Sequence, residues 1–99
     1  MSGQSFKLVT IVCEPVLLTS VLTKIRALGA SGFTITDVRG EGSSEKSSGE
    51  VPDQKTKIEV VVRSESSQMI MEAIAKEYFK NYSLIVYSSD IQVIRREKF

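Results

Sequence analysis

The chain has no histidine, no tryptophan, one cysteine and two prolines among its 99 residues. The missing histidine removes the commonest general base, the side chain that titrates near neutral pH, and the usual imidazole metal ligand. Cys13 alone can form neither an intrachain disulfide nor a four-cysteine zinc site. Charge of one sign is not in excess: thirteen basic residues against twelve acidic ones leave +1, too even for binding nucleic acid through a net field. No apolar run approaches the roughly 18 residues of a membrane-spanning helix, and no basic-then-apolar leader pattern opens the chain. These absences, with the lone thiol, place the protein in the cytoplasm as an expectation.

What is present is ordinary globular composition, 41% hydrophobic and 25% charged, read as a single domain over residues 1–99. A chain of this length builds a thin core, and oligomerisation is the natural supplement. Lys7–Cys13 is β-branched and apolar, as in a central strand. Glu14-Pro15 changes the period, since proline suits a first helical turn. Leu18, Val21, Leu22, Ile25 and Leu28 then predict a helix over Val16–Leu28, stopped by Gly29. From Gly32 the chain is extended, with Phe33 and Ile35 on one face and Thr34 and Thr36 on the other. Asp37, Val38 and Arg39 break that parity and predict a twist or bulge as the strand leaves the sheet.

Gly40–Lys55, GEGSSEKSSGEVPDQK, is polar and aperiodic and is read as a flexible regulatory loop over 40–55. Thr56–Ser64 alternates, with Ile58, Val60 and Val62 on one face and Glu59, Val61 and Arg63 on the other. Ser66 or Ser67 is the predicted cap of a second helix. Its inward stripe is Ile70, Ala73 and Ile74, extended by Met71, Tyr78 and Phe79. Leu84–Ser88 is a fourth strand, followed by a tail with Arg95, Arg96 and Lys98.

The order is βαββαβ, an α+β ferredoxin-like sandwich: a four-stranded antiparallel sheet, two helices on one face, and a long loop between the second and third strands. The other sheet face stays open, and because the first strand is apolar on both sides, a homo-oligomer formed through that face is predicted.

Catalysis finds little to work with. Glu14, Asp37, Glu59 and Glu77 form no recognisable acid/base pair, and no nucleophile has an evident base, so the chain is read as not an enzyme. Cys13 lies in an apolar strand without basic neighbours in sequence and reads as a small core side chain. Gly40-Glu-Gly42-Ser43-Ser44 leaves a strand with small residues whose N–H groups could approach an anion, although neither nucleotide-binding glycine fingerprint is complete. The alternative for this stretch is a solvated hairpin loop. The loop's length favours a functional role, because structureless segments of this size are uncommon in small domains. The basic tail has two readings as well, solvated charge or a phosphate contact through Arg95 or Lys98.

Gly32-Phe-Thr-Ile-Thr-Asp-Val-Arg-Gly40-Glu-Gly42 resembles the second strand and loop base of the PII signalling family, Gly-Met/Leu-Thr-Val-x-Glu-Val-x-Gly-x-Gly. Lys57-Ile-Glu-Val-Val61 resembles its third strand and Val93-Ile-Arg95 its C-terminal Val-Ile-Arg. Lys7-Leu-Val with Glu14, Gly29-Ala-Ser-Gly32, Ser47-Ser-Gly49, Tyr78-Phe79 with Tyr82, and Lys98-Phe99 resemble most the PII-like proteins partnered with cyanobacterial bicarbonate transporters (SbtB type). The carboxysome-associated PII-like branch stands close to these.

The resemblance implies a homotrimeric, nucleotide-binding regulator of nitrogen regulatory PII type with an adenine nucleotide (ADP, AMP, cyclic AMP or ATP) in each intersubunit cleft, with bicarbonate as a further ligand and no metal. Gly32, Phe33, Thr34, Glu59 and Val61 would contribute from one side. Gly40, Gly42, Ser43, Ser44, Lys46 and Arg95 would hold phosphate from the other. The implied partner is a bicarbonate transporter or a carboxysome-related protein of a carbon-concentrating mechanism, met through the loop at the inner membrane face. No nucleic acid is implied. Three departures stand out. Phe79-Lys-Asn-Tyr-Ser83 replaces the Thr-Gly-x-x-Gly-Asp-Gly-Lys phosphate cradle of nitrogen-regulating PII proteins, the loop lacks their modified tyrosine, and Ser44 and Lys46 stand near the positions of two phosphate-holding arginines. The runner-up reading is an ion- or metal-responsive ferredoxin-like trimer of the copper-tolerance type, which would need exposed soft ligands. An acylphosphatase would need an arginine loop that Val12-Cys-Glu-Pro15 does not offer.

Overall fold

A computed structural model describes residues 5–42 and 51–94. Strand β1, Phe6–Cys13, leads through a 3-10 turn at Pro15–Leu17 into helix α1, Leu18–Ala27. Strands β2, Phe33–Arg39, and β3, Gln54–Arg63, follow; then helix α2, Ser64–Tyr78, and strand β4, Ile85–Ile91. The strands form one sheet in the order β2-β3-β1-β4, every neighbouring pair antiparallel. This is the ferredoxin-like α+β arrangement the element order predicts.

The register explains the core. Val9 stands opposite Val60 and Ile11 opposite Ile58. Partners in an antiparallel pair share a face, so one face collects Val9, Ile11, Cys13, Ile58, Val60 and Val62. Val21 and Ile25 of α1 and Ile70, Ile74 and Tyr78 of α2 join them in a single buried cluster. Both helices therefore cover the same side of the sheet. A hydroxyl–hydroxyl bond of 2.5 Å between Ser20 and Tyr78 and an ion pair of 3.3 Å between Lys24 and Glu77 link α1 to α2.

The opposite face carries Leu8, Thr10 and Val12 of β1, with Val61 across from Leu8 and Ile85 and Tyr87 across from Val12 and Thr10. Ile85 and Tyr87 remain 54% and 44% exposed. Among the described residues, no element of this protomer covers that side.

Several local expectations are corrected. The first helical turn is 3-10, so the α-helix begins at Leu18 rather than Val16, which is exposed. No bulge interrupts β2: Thr36, Asp37, Val38 and Arg39 face Lys57, Thr56, Lys55 and Gln54 in unbroken register. As an edge strand mostly beyond the helices, β2 is not bound to alternate. Strand β3 starts at Gln54, so Gln54 and Lys55 belong to the sheet and not to the loop. Helix α2 starts at Ser64, directly after β3, and neither Ser66 nor Ser67 caps it. Ser67 is buried, its hydroxyl donating to the Ser64 carbonyl at 2.7 Å. Phe79 is 49% exposed and leaves the inward stripe. Strand β4 runs three residues beyond Ser88 because Ser89, Asp90 and Ile91 pair with Leu8, Lys7 and Phe6.

Candidate functional site

Helix α1 ends in a turn that sets the entry to β2. The Gly29 N–H bonds the Arg26 carbonyl at 3.0 Å and the Ala30 N–H bonds the Ile25 carbonyl at 3.0 Å, with Gly29 at φ 99°. That left-handed conformation suits a residue without Cβ. Ser31 and Gly32 then reach the sheet edge, where Phe33 and Thr34 begin β2 opposite Val60 and Glu59. The Phe33 ring belongs to the helix side, half-buried against the core, and the Arg26 guanidinium lies over it, 5.1 Å from its centroid.

On the open side, Thr34 and Glu59 form one cross-strand pair and Val61 and Leu8 the next. With Ser31, Gly32 and Phe33 they line a hollow of ≈ 540 Å³. Its wall combines aliphatic surface, two hydroxyls, one carboxylate and the outer edge of β2, a terminal strand whose outward N–H and C=O groups face no further strand among the described residues. Such a mixture can take a flat, hydrogen-bonding ring: apolar contact on its faces, backbone and side-chain groups on its edge.

Of the residues predicted for the site, Gly32, Phe33, Thr34, Glu59 and Val61 thus come together around one hollow. Gly40 and Gly42 do not. They follow the far end of β2, about 20 Å along the strand from Thr34 at ~3.3 Å per residue, and the Gly40 N–H is bonded to the Asp53 carbonyl at 3.1 Å. Ser43, Ser44, Lys46 and Arg95 lie outside the described residues. Sequence reasoning missed Leu8 and Ser31. The alternation of the first strand puts Leu8 on the open face, but only the pairing register shows that it neighbours Val61.

Two other hollows are less suited to such a ring. At the start of β1, on the side of β4, Lys7 and Asp90 line a space of ≈ 480 Å³ but engage each other at 2.6 Å. At the foot of the loop, Glu14, Asp53 and the buried Lys55 line one of ≈ 430 Å³, dominated by charge. Cys13 beside it is buried. Desolvation first, then the Glu14 carboxylate, raise its thiol pKa against a smaller opposing effect of Lys55. The single thiol is therefore not the exposed soft ligand a metal-responsive trimer would need. Among the described residues no three acidic or thiol side chains gather into a metal-binding group, and no helix is long and apolar enough to cross a membrane.

The whole arrangement has counterparts in known proteins. A PII-like signalling protein from Thermus thermophilus superposes with a TM-score of 0.81 at 38% identity, covering 96% of this chain and 95% of its own. CPII, a PII-like protein from Thiomonas intermedia K12, does so in a structure bound to ADP and bicarbonate (TM-score 0.82, 27% identity, 96% and 94% covered). It does so again in a structure bound to ADP, AMP and acetate (TM-score 0.81, 26% identity, 96% and 94% covered). The family model of nitrogen regulatory protein P-II matches residues 6–98, from the start of β1 to one residue before the chain end. Fold, sheet order and family match agree over nearly the whole length: the chain belongs to the nitrogen regulatory protein P-II family, a family of signalling regulators.

Proposed function

We propose that the protein is a homotrimeric sensor of adenine nucleotides that binds ADP or AMP at the hollow, with bicarbonate as a second ligand. The observation that carries this reading is the convergence of Gly32, Phe33, Thr34, Glu59 and Val61 on one hollow at the edge of the sheet. The adenine edge meets the β2 backbone and Thr34, one of its faces meets Leu8 and Val61, and Glu59 accepts a hydrogen bond from a ligand hydroxyl or amine. Phosphate is held by the loop base of the neighbouring subunit, Gly40, Gly42, Ser43, Ser44 and Lys46, together with Arg95. The separation of Gly40 from the hollow within one protomer is what calls for that neighbour. Bound nucleotide and anion favour one conformation of the 40–53 loop, and that conformation selects the protein partner, by the stated resemblance a bicarbonate transporter at the inner membrane face or a carboxysome-related protein.

Calorimetry with ADP, AMP, cyclic AMP and ATP, each with and without bicarbonate, tests the reading. Saturable heat with ADP or AMP is expected, and heat only with ATP and magnesium would sink it. Gly32→Val is the sharpest variant. A Cβ at Gly32 meets no atom within 4 Å and the backbone there is not left-handed, so the fold should keep its melting temperature while the filled hollow loses at least tenfold in ADP affinity.

A further inference from the structure

Arg26 lines no part of the hollow, yet its guanidinium packs over Phe33, the first residue of β2 and part of the hollow's wall. We propose that Arg26 is a positioning residue for nucleotide binding. It clamps Phe33 from the solvent side and thereby fixes the start of the edge strand whose backbone reads the base; this rests on the nucleotide reading above. The geometry is specific. The ring is half-buried against Val60 and its neighbours on one side, while its outer face has the cation at 5.1 Å, within the roughly 6 Å over which a ring attracts a cation. Arginine suits the place because its flat guanidinium stacks where an ammonium would touch only at a point. The other cation of the last helical turn, Lys24, is paired with Glu77 at 3.3 Å. Arg26 also belongs to the turn itself, since its carbonyl accepts the Gly29 N–H. One residue thus ties the end of α1 to both the turn and the first side chain of β2.

The test is calorimetry of ADP and AMP with the full chain and Arg26→Ala, Arg26→Lys, Phe33→Leu and the Arg26→Ala/Phe33→Leu pair, with melting temperatures for each. Arg26→Ala should weaken ADP and AMP by the same factor, about two- to fivefold, as expected for one exposed cation–π contact. Its melting temperature should stay within a few degrees, and Arg26→Lys should recover part of the affinity. In the Phe33→Leu background, Arg26→Ala should have no further effect, because the ring through which it acts is gone. If Phe33→Leu does not fold, Phe33→Met replaces it, and the ADP-to-AMP comparison stands on its own. A loss that persists without the ring, or that falls on ADP more than on AMP, would overturn the positioning role in favour of direct phosphate contact. Unchanged affinity in Arg26→Ala would overturn it while leaving nucleotide binding intact. Absence of binding in the unsubstituted protein would instead overturn the nucleotide reading, and this role with it.

Discussion

Single residues decide whether the core and the turn beside the hollow hold. Ile11, Ile58 and Ile74 are fully buried, and truncating such a side chain removes its transfer energy and leaves a cavity. Ile74→Ala should lower the unfolding free energy by about 2–5 kcal/mol, a large share of the ~5–15 kcal/mol typical of a domain, as read from urea denaturation. Gly29→Ala forces a Cβ into a left-handed conformation at φ 99° and should cost about 1–2 kcal/mol, although there is space for the methyl group. Because the same turn aims Gly32 and Phe33, this variant should also weaken ADP, unlike Ile74→Ala at sub-melting temperature. The Cys13 proton gives a pH signature. Burial holds the thiol protonated above its ordinary pKa, so the folded state keeps a proton that the unfolded chain releases. Stability is then constant below the ordinary thiol value and falls as pH rises between the unfolded and folded values. Urea titrations from pH 7 to 10 should show the advantage of the natural chain over Cys13→Ala shrinking on the alkaline side; a constant difference would contradict the assignment.

At the scale of elements, legibility followed how strongly each was tied to the core. Strands β1 and β3 lie at the centre of the sheet, where alternation must match the register, so Ile58, Val60 and Val62 could be assigned to one face from their spacing alone. The edge strand β2 is mostly exposed, which frees its last residues from alternation, and Asp37-Val38-Arg39 looked like a bulge where the pairing is regular. Helix α2 misled for a similar reason: serines at positions 64, 66 and 67 offer three possible starts. The answer depends on contacts remote in sequence, namely the Ser64 N–H bonded to the Ser5 carbonyl and Ser67 enclosed. The candidate site was legible mainly through the resemblance carried by residues 32–42, since a glycine, a threonine, a glutamate and a valine on two strands have no chemical signature of their own. The ion pairs between elements contribute less than the shared core. Lys24 and Glu77 are both more than a third exposed, so Glu77→Gln should change stability by no more than about 1 kcal/mol.

The molecule as a whole shows one covered sheet face and one uncovered. On the uncovered side Leu8, Val12 and Val61 are only half-buried and Ile85 and Tyr87 stand out further, an arrangement that favours association. If three copies bury this face, Ile85→Asp with Tyr87→Asp should shift sedimentation velocity from trimer to monomer, and nucleotide affinity should fall with it if, as proposed, a neighbouring subunit supplies the phosphate contacts. A nucleotide-competent monomer would contradict that dependence. The hairpin of β2 and β3 has a different bearing on how such a molecule diversifies. Its last rung is Arg39 opposite Gln54, clasped by the Gly40 N–H on the Asp53 carbonyl, so the two ends of the intervening segment are brought together by the sheet whatever that segment contains. Doubling the length of a closed loop costs only about 0.6 kcal/mol. The stretch between these two residues is therefore a cassette: it can be lengthened, shortened or exchanged for a relative's to redirect recognition, while the scaffold beneath it keeps nearly all its stability.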